Sequence, residues 1–514
     1  MTGPDEADDQ TATIAFLSRP ESYGLSEPVE RIDTHAAIVF LAGDRAYKLK
    51  RAVRYSFLDF STLAQRKAVC EAELLLNRRT APDLYLELRS VDRRDDGSIG
   101  FGGGEPLDWV IFMRRFASDS LLEAVAARGQ LYAPLVRELA DAIARFHDSA
   151  EAVPCADGAA RIRRVIDGNA ATMAALPPGI LPEAECQALH EHSAALCERL
   201  APLLDRRGAA GHVRHCHGDL HLANICLWQG HPLLFDCLEF DSALATTDVL
   251  YDLAFLVMDL CERGYRAQAS WLFNRYLDMR DESGGIAALP LFLSMRATIR
   301  AHVSATAAGM QASEAGRLAK RDAAREYLAA AQSFLAEAPV RLIAVGGLSG
   351  TGKSTLAALL APEIGGAPGA RWLRTDVLRK RMSGVAPEVR LPAAAYSREQ
   401  GKAVYRRLAD EAQVMLAAGR SVIVDGVFAS LEERRHMESV AAAAGVGFHG
   451  LWLQAPAGTL LSRVRNRSGD ASDADESVVA RQLEFDPGDL TGWDVVDATG
   501  TPAEMLGRAL ARIG

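Results

Sequence analysis

Residues 215–225 read HCHGDLHLANI. Three histidines, a cysteine, an aspartate and an asparagine fall within eleven residues. His217 and His221 are four apart, and on a helix both imidazoles would face one side, where a metal could bridge them. Gly218, Asp219 and Asn224 are poor helix formers, so the run reads as a loop instead. Its polar groups are carboxylate and amide oxygens, which suit a hard cation such as Mg²⁺ better than zinc. In this reading His217 and His221 position the loop.

Asp219 is followed after four residues by Asn224, and Asp236 ends the apolar run in "PLLFDCLEF" (232–240). Phosphoryl transfer needs such a set: one aspartate for the acceptor proton, an asparagine and a second aspartate for Mg²⁺. "HGDLHLAN" resembles the hallmark loop of the aminoglycoside phosphotransferase and choline kinase branch of the kinase-like fold. "DVLYDLAFLVMDL" (248–260) is similar to the same branch, which implies that Asp252 supports the loop. The resemblance covers about 30–335 and implies a bilobal domain using ATP or GTP with Mg²⁺.

Upstream, "AAIVFLAGDRAYKLKR" (36–51) reads as two strands around a Gly-Asp turn. Alternation puts Ala46, Lys48 and Lys50 on one face. Kinases keep an alanine two residues before the phosphate-binding lysine. Choosing Lys48 puts Ala46 there; choosing Lys50 would set a charge against adenine, at a desolvation cost. Lys48 is therefore expected to bind nucleotide, with Lys50 as the alternative. Glu73 is its expected partner and Glu71 the alternative, both in the helix "STLAQRKAVCEAELLLNRR" (61–79), which Ser61 would cap. "DTHAAIVFLAGD" (33–44) stands where a G-x-G-x-x-G loop would precede Lys48, so the phosphate cover is built differently. "LYLELRSV" (84–91) and "DWVIFMRRF" (108–116) are further strands, with "RRDDGSIGFGGGEP" (93–106) a flexible turn region between them.

"GLSGTGKS" (347–354) satisfies G-x-x-x-x-G-K-[ST], with the strand "RLIAVG" before it and the helix "TLAALLA" after it. Gly347, Gly350, Thr351, Gly352, Lys353, Ser354 and Thr355 are the expected nucleotide-binding residues. Backbone N–H groups would hold phosphate at the helix N-terminus, Lys353 would neutralise it, and Ser354 would hold Mg²⁺. "RTDVLRKRM" (374–382) carries Asp376 and Arg379 as D-x-x-R, and "SVIVDGVF" (421–428) ends a strand at Asp425, near Mg²⁺ or the acceptor. "LLSRVRNRSGDASDADE" (460–476) reads as an arginine-rich helix and a mobile acidic lid. Arg463 and Arg467 share a helix face and could reach a transferring phosphate; a solvated surface is the plainer reading of them. For Asp376 the plainer reading is helix capping.

Over about 340–512 these motifs resemble small P-loop kinases of the zeta-toxin and polynucleotide kinase kind. That resemblance implies that Asp376 activates an acceptor hydroxyl and that the lid arginines stabilise the transferring group.

The chain has 514 residues, 49% hydrophobic and 24% charged, enough for two domains or more. The expected order is an acidic tail over 1–29, a kinase-like domain over 30–338 and a P-loop domain over 339–514. The kinase-like domain divides into a sheet-rich lobe to 116 and a helical lobe from 117. The fold class is thus α+β then α/β, the second part a parallel sheet flanked by helices. A net charge of −10 argues against broad nucleic-acid binding. No apolar run is long enough to span a membrane. Eight cysteines without a C-x-x-C pair suggest free thiols in a reducing cytoplasm. Lysine is scarce, seven against fifty arginines, so Lys48, Lys50 and Lys353 mark places where a compact ammonium is required. The expected activity is phosphate transfer to the hydroxyl of a small molecule in both modules. The alternatives are a regulatory first half and a nucleic-acid 5′-end kinase.

Overall fold

The computed structural model describes residues 8–55, 58–311, 313–466, 471–484 and 486–514. Compactness groups the chain differently from a cut at 338. One unit is Met1–Pro154 with Gly211–Asp252, and the other is Cys155–Ala210 with Leu253–Gly514.

The first unit is built on a six-stranded antiparallel sheet. Its strands, in spatial order, are Glu30–Asp33, Ala37–Ala42, Arg45–Lys50, Glu105–Arg114, Tyr85–Arg93 and Ile99–Phe101. Strand alternation sorts its residues into two faces. Ile38, Phe40, Tyr47, Leu49, Val110 and Phe112 form one core. Ala46, Ile111 and Met113 pack with Cys70, Tyr85 and Cys226 on the other. Lys48 and Lys50 alternate with Tyr47 and Leu49, so they share the second face, the side of the helix Leu63–Asn77.

Three local expectations are corrected here. The N-terminal stretch is more than an acidic tail from residue 8 onward: Thr11–Leu17 is helical and Leu17 is fully buried against the sheet. Acidic flanks hide the apolar "TIAFL", which the first core needs as a cover. The helix after the third strand is capped by Thr62, not Ser61. Thr62 accepts from the Gln65 amide and Gln65 accepts from the Thr62 amide, a capping box. Ser61 instead donates to Asp59 Oδ1 at 2.6 Å. The glycine-rich turn region contains a strand, Ile99–Phe101, paired with Val91–Arg93.

The second unit joins helices Gly158–Ala174, Glu183–Ala209, Arg266–Met279, Leu289–Gly309 and Glu314–Leu335 to a five-stranded parallel sheet. The sheet order is Arg371–Arg374, Val422–Asp425, Arg341–Gly347, Gly447–Gln454 and Trp493–Asp497. Parallel strands are covered on both faces, hence the continuous apolar runs. Ile343, Val345, Ile423 and Leu451 pack on Leu356 and Leu360 of the helix Lys353–Leu360 and on Met505 and Ala509 of the helix Pro502–Ile513. Among the described residues, no helix is long and apolar enough to cross a membrane.

Candidate functional site

In the first unit, Lys48 Nζ lies 2.7 Å from Glu73 Oε1 and 2.6 Å from Asp236 Oδ1. Lys50 Nζ lies 2.5 Å from Glu73 Oε2 and 2.5 Å from Glu239 Oε1. The five groups alternate in sign: Asp236, Lys48, Glu73, Lys50, Glu239. Glu73 is fully buried and meets one ammonium on each oxygen. Lys50 therefore does not sit as a bare charge against an apolar wall; two carboxylates compensate its burial. Glu71 is exposed and pairs with its helix neighbour Lys67.

The electrostatics follow. Burial alone would strip the Lys48 charge, but Asp236 and then Glu73 hold its pKa well above the usual lysine value. Burial pushes the Asp236 carboxyl up, and Lys48 and Lys50 more than reverse it, leaving the pKa below the usual range. Asp236 has φ 62°, a left-handed conformation that aspartate tolerates better than most residues.

The histidine-rich loop hangs from Asp252. The His217 amide donates to Asp252 Oδ2 at 3.2 Å and the Gly218 amide to Oδ1 at 2.8 Å. His147 Nε2 is 3.1 Å from Asp252 Oδ2, and His217 Nε2 is 3.0 Å from the Phe235 carbonyl. Asn224 Nδ2 donates to both the carbonyl and Oδ2 of Asp219, each at 2.9 Å. That leaves Asn224 Oδ1 as the atom to face a cation. His221 Nδ1 accepts from the Ala223 amide, which places its proton on Nε2, 3.4 Å from Asp219 Oδ2. Both loop histidines are thus engaged in holding the loop. The donor set of Asp219, Asn224 and Asp236 is all oxygen, which fits Mg²⁺. Among the described residues, only His147, Cys216 and Asp252 approach as a His/Cys/carboxylate group able to hold a metal, and both Asp252 oxygens there are already bonded.

In the second unit the strand Arg341–Gly347 runs into the glycine loop and the helix Lys353–Leu360. Gly347 (φ 131°) and Gly350 (φ 86°) are left-handed, and a Cβ on either would sit 2.6 Å from a carbonyl oxygen, of Leu453 or Leu460. Only glycine fits at both places. Thr351 Oγ1 donates to the Leu348 carbonyl at 2.8 Å, and Lys353 Nζ lies 3.0 Å from the same oxygen. Gly352 occupies the N-cap position, and Thr355 is exposed on the first turn. Ser354 Oγ donates to Asp425 Oδ2 at 2.6 Å. Burial raises the Asp425 pKa, against the pull of Arg374 and Lys353. A hydroxyl and a carboxylate face to face are hard oxygen ligands, which also fits Mg²⁺.

Asp376 stands in the first turn of the helix Thr375–Met382, whose N-cap position is Arg374, so it is not the cap. Arg379 follows one turn later, donating to the Ala395 carbonyl at 2.8 Å and lying 4.9 Å over the Tyr396 ring. Two expectations about the lid need revision. Arg463 is no free lid arginine: its guanidinium donates to the carbonyls of Thr351 (3.1 Å) and Ala498 (2.9 Å), behind the glycine loop. The acidic stretch is pinned at Asp473, which receives Lys380 Nζ (3.1 Å), the Leu391 amide (2.9 Å) and the Tyr396 hydroxyl (2.5 Å). Arg467 lies outside the described residues.

Sequence reasoning missed Glu239, His147, Lys380 and Asp473. Glu239 had a signal, three residues past Asp236 in the same run "FDCLEF" (235–240). Lys380 had one too, as a lysine in an arginine-rich chain that turns out fully buried.

Residues 118–286 match the family described as "Phosphotransferase enzyme family", and residues 342–487 match one described as "AAA domain". A protein of Mycobacterium tuberculosis strain H37Rv, "Uncharacterized protein Rv2004c", is 30% identical over 497 residues, covering 93% of this chain and 94% of its own. Among solved structures, a choline/ethanolamine kinase family protein from Mesorhizobium loti aligns with 62% of this chain and 98% of its own, at 16% identity and TM-score 0.40. A gluconokinase from Sinorhizobium meliloti aligns with 35% of this chain and 93% of its own, at 22% identity and TM-score 0.26. A phosphotransferase-family domain followed by a P-loop kinase domain, with a match along nearly all of both chains, places this chain in the same family as the mycobacterial protein.

Proposed function

We propose that the chain is a double phosphotransferase, each module moving the γ-phosphate of ATP or GTP to a hydroxyl of a small molecule. In the first module Lys48 grips the donor phosphates. Asp219 takes the acceptor proton as the new O–P bond forms and the bond to the departing nucleoside diphosphate breaks. Asn224 fixes the Asp219 carboxylate, and Asp252 fixes the loop that carries it. In the second module the amides of residues 350–355 and Lys353 hold the donor, and Asp376 takes the acceptor proton. Asn224 and Asp236 in the first module, and Ser354 and Asp425 in the second, would hold Mg²⁺. When bound, Mg²⁺ neutralises charge on the phosphate oxygens. Eight free thiols go with a cytoplasmic place of action.

The observation that carries the reading is Lys48 held between Glu73 and Asp236, the arrangement that presents an ammonium to phosphate beside a cation ligand. Calorimetric titration of the full chain with Mg-ATP tests it. Two sites are expected, with Lys353→Ala losing one and Lys48→Ala the other. A single site, abolished by Lys353→Ala alone, would overturn the double assignment and leave the first module regulatory.

A further inference from the structure

The parallel sheet of the P-loop module begins at an edge. Strand Arg371–Arg374 has only four residues and one strand partner, Val422–Asp425. The Arg371 amide points inward, to the Ser421 carbonyl at 2.9 Å. The neighbouring groups, the Ala370 carbonyl and the Trp372 amide, point to the outer side, where a further strand would bond them.

What meets them is one side chain of the helix Arg266–Met279. Asn274 Nδ2 donates to the Ala370 carbonyl at 3.1 Å, and Asn274 Oδ1 accepts from the Trp372 amide at 2.7 Å. The carboxamide thus does the work of the missing strand. Asn274 is buried, and so is Arg371, which donates through Nη1 to the Asn274 carbonyl (3.1 Å) and through Nη2 to Asp278 Oδ1 (2.6 Å). From the same helix, Arg275 forks onto both oxygens of Glu388, at 2.8 and 3.3 Å. Glu388 lies in the loop after the helix Thr375–Met382.

The Asp376 helix is therefore held at both ends by one element. Before it, the edge strand delivers Arg374 and Thr375 directly into its first turn. After it, the loop 386–397 carries Tyr396, over which Arg379 stacks. Yet the bracing helix lies inside the segment that matches the phosphotransferase family, residues 118–286, not in the P-loop match. All of these residues belong to one compact unit.

We propose that Asn274, Arg275 and Asp278 are positioning residues of the P-loop site. They belong to the phosphotransferase-family segment but hold Asp376 at its working distance from the glycine loop. The proposal rests on the reading of Asp376 as the proton acceptor. From the same helix Trp271 reaches the helix after the P-loop at Ala358, whereas Asn274, Arg275 and Asp278 bond the edge strand and Glu388, so losing these three is expected to lower turnover more than nucleotide affinity. A short edge strand with one strand partner is the part of a sheet that opens most easily. Losing the Asn274 bonds frees that strand and loosens the carboxylate, where a small misplacement lowers turnover far more than affinity.

The test uses the full chain. Asn274→Ala is expected to speed amide exchange across 371–382 by about tenfold or more, relative to strands Arg341–Gly347 and Gly447–Gln454. Asp278→Ala does the same, whereas Asp278→Glu, which keeps a carboxylate for Arg371, retains most of the protection. Mg-ATP turnover is then read in an Asp219→Asn background, so that only the P-loop module reports, with water as acceptor. Asn274→Ala should lower kcat about tenfold or more while KM for ATP stays within about twofold. Unchanged exchange across 371–382 in both alanine variants overturns the proposal. So does a turnover loss that appears as a matching rise in KM. Asp376→Asn separates the two readings. If it leaves turnover at the parent rate while Asn274→Ala lowers it, the brace acts on something else and the Asp376 assignment falls.

Discussion

Each oxygen of Glu73 receives a different lysine, and the two lysines lead to different places: Lys48 to Asp236, Lys50 to Glu239. Removing Lys50 leaves two buried carboxylates sharing what remains. Breaking a buried ion pair by deleting one partner costs about 3–5 kcal/mol. Lys50→Met should lower stability by that order in denaturant titration and weaken Mg-ATP binding at the Lys48 site. A variant as stable as the parent would mean that Glu239, whose pKa burial already raises, takes up a proton instead. Asp219 is a different kind of residue, because its effect is on rate. Asp219→Asn should cut transfer by the first module about 10²–10⁴-fold with nucleotide binding nearly intact. His302 gives a pH dependence. Burial lowers its pKa from 6.5 to about 4, so between those values the unfolded chain binds a proton that the folded chain does not. Stability must then fall as pH drops through that window, and stay level in this respect above it. His302→Gln should remove on the order of 3 kcal/mol of that fall between pH 6.5 and 4, read from denaturation midpoints at several pH values.

At the scale of elements, what was legible in the sequence is what has a local cause. The strand pair around Gly43-Asp44, the helix ending near Asn77 and the strand–glycine loop–helix at 341–360 follow from period, turn residues and a motif. Asp219, Asn224 and Asp236 could be grouped because their spacing fits one chemistry. Elements whose cause is distant were not legible. The Thr11–Leu17 helix exists because a sheet face formed by residues 38–112 needs a cover, and nothing near residue 11 announces that. Leu17 should therefore behave as a core residue. Leu17→Ala is expected to cost about 2–5 kcal/mol by chemical denaturation; a change under about 1 kcal/mol would return the segment to a loosely held tail. Capping was misassigned by one residue for a similar reason. Ser61 and Thr62 are equivalent by propensity, and the choice is made by Asp59, which takes the Ser61 hydroxyl. Arg463 and Asp473 likewise look mobile by composition, and what fixes them is distant in sequence: two carbonyls for Arg463, and an ammonium, an amide and the Tyr396 hydroxyl for Asp473.

For the molecule as a whole, the fused order of the two family segments has a physical consequence. The linker 336–340 is short, and a cut at 338 looks natural from the sequence. It would separate Arg371 from Asp278 and from the Asn274 carbonyl. Arg371 is a guanidinium that burial penalises unless those partners stay. The cut would also strip Trp271, whose indole donates to the Ala358 carbonyl at 3.2 Å, from the helix that follows the P-loop. A fragment starting at 339 thus exposes a sheet edge and an unpaired side of Arg371 at once. Exposed strand edges of that kind favour association between copies. The expected outcome is that residues 339–514 alone melt well below the P-loop transition of the full chain and tend to aggregate. A chain extended back to Leu253, with residues 155–210 supplied as in the native compact unit, recovers the transition. Thermal unfolding followed by the signal of Trp372, Trp452 and Trp493, with light scattering recorded alongside, distinguishes the outcomes. If residues 339–514 alone melt at the full-chain temperature and stay monomeric, the P-loop module is autonomous, and its contact with the helix Arg266–Met279 contributes nothing to its stability.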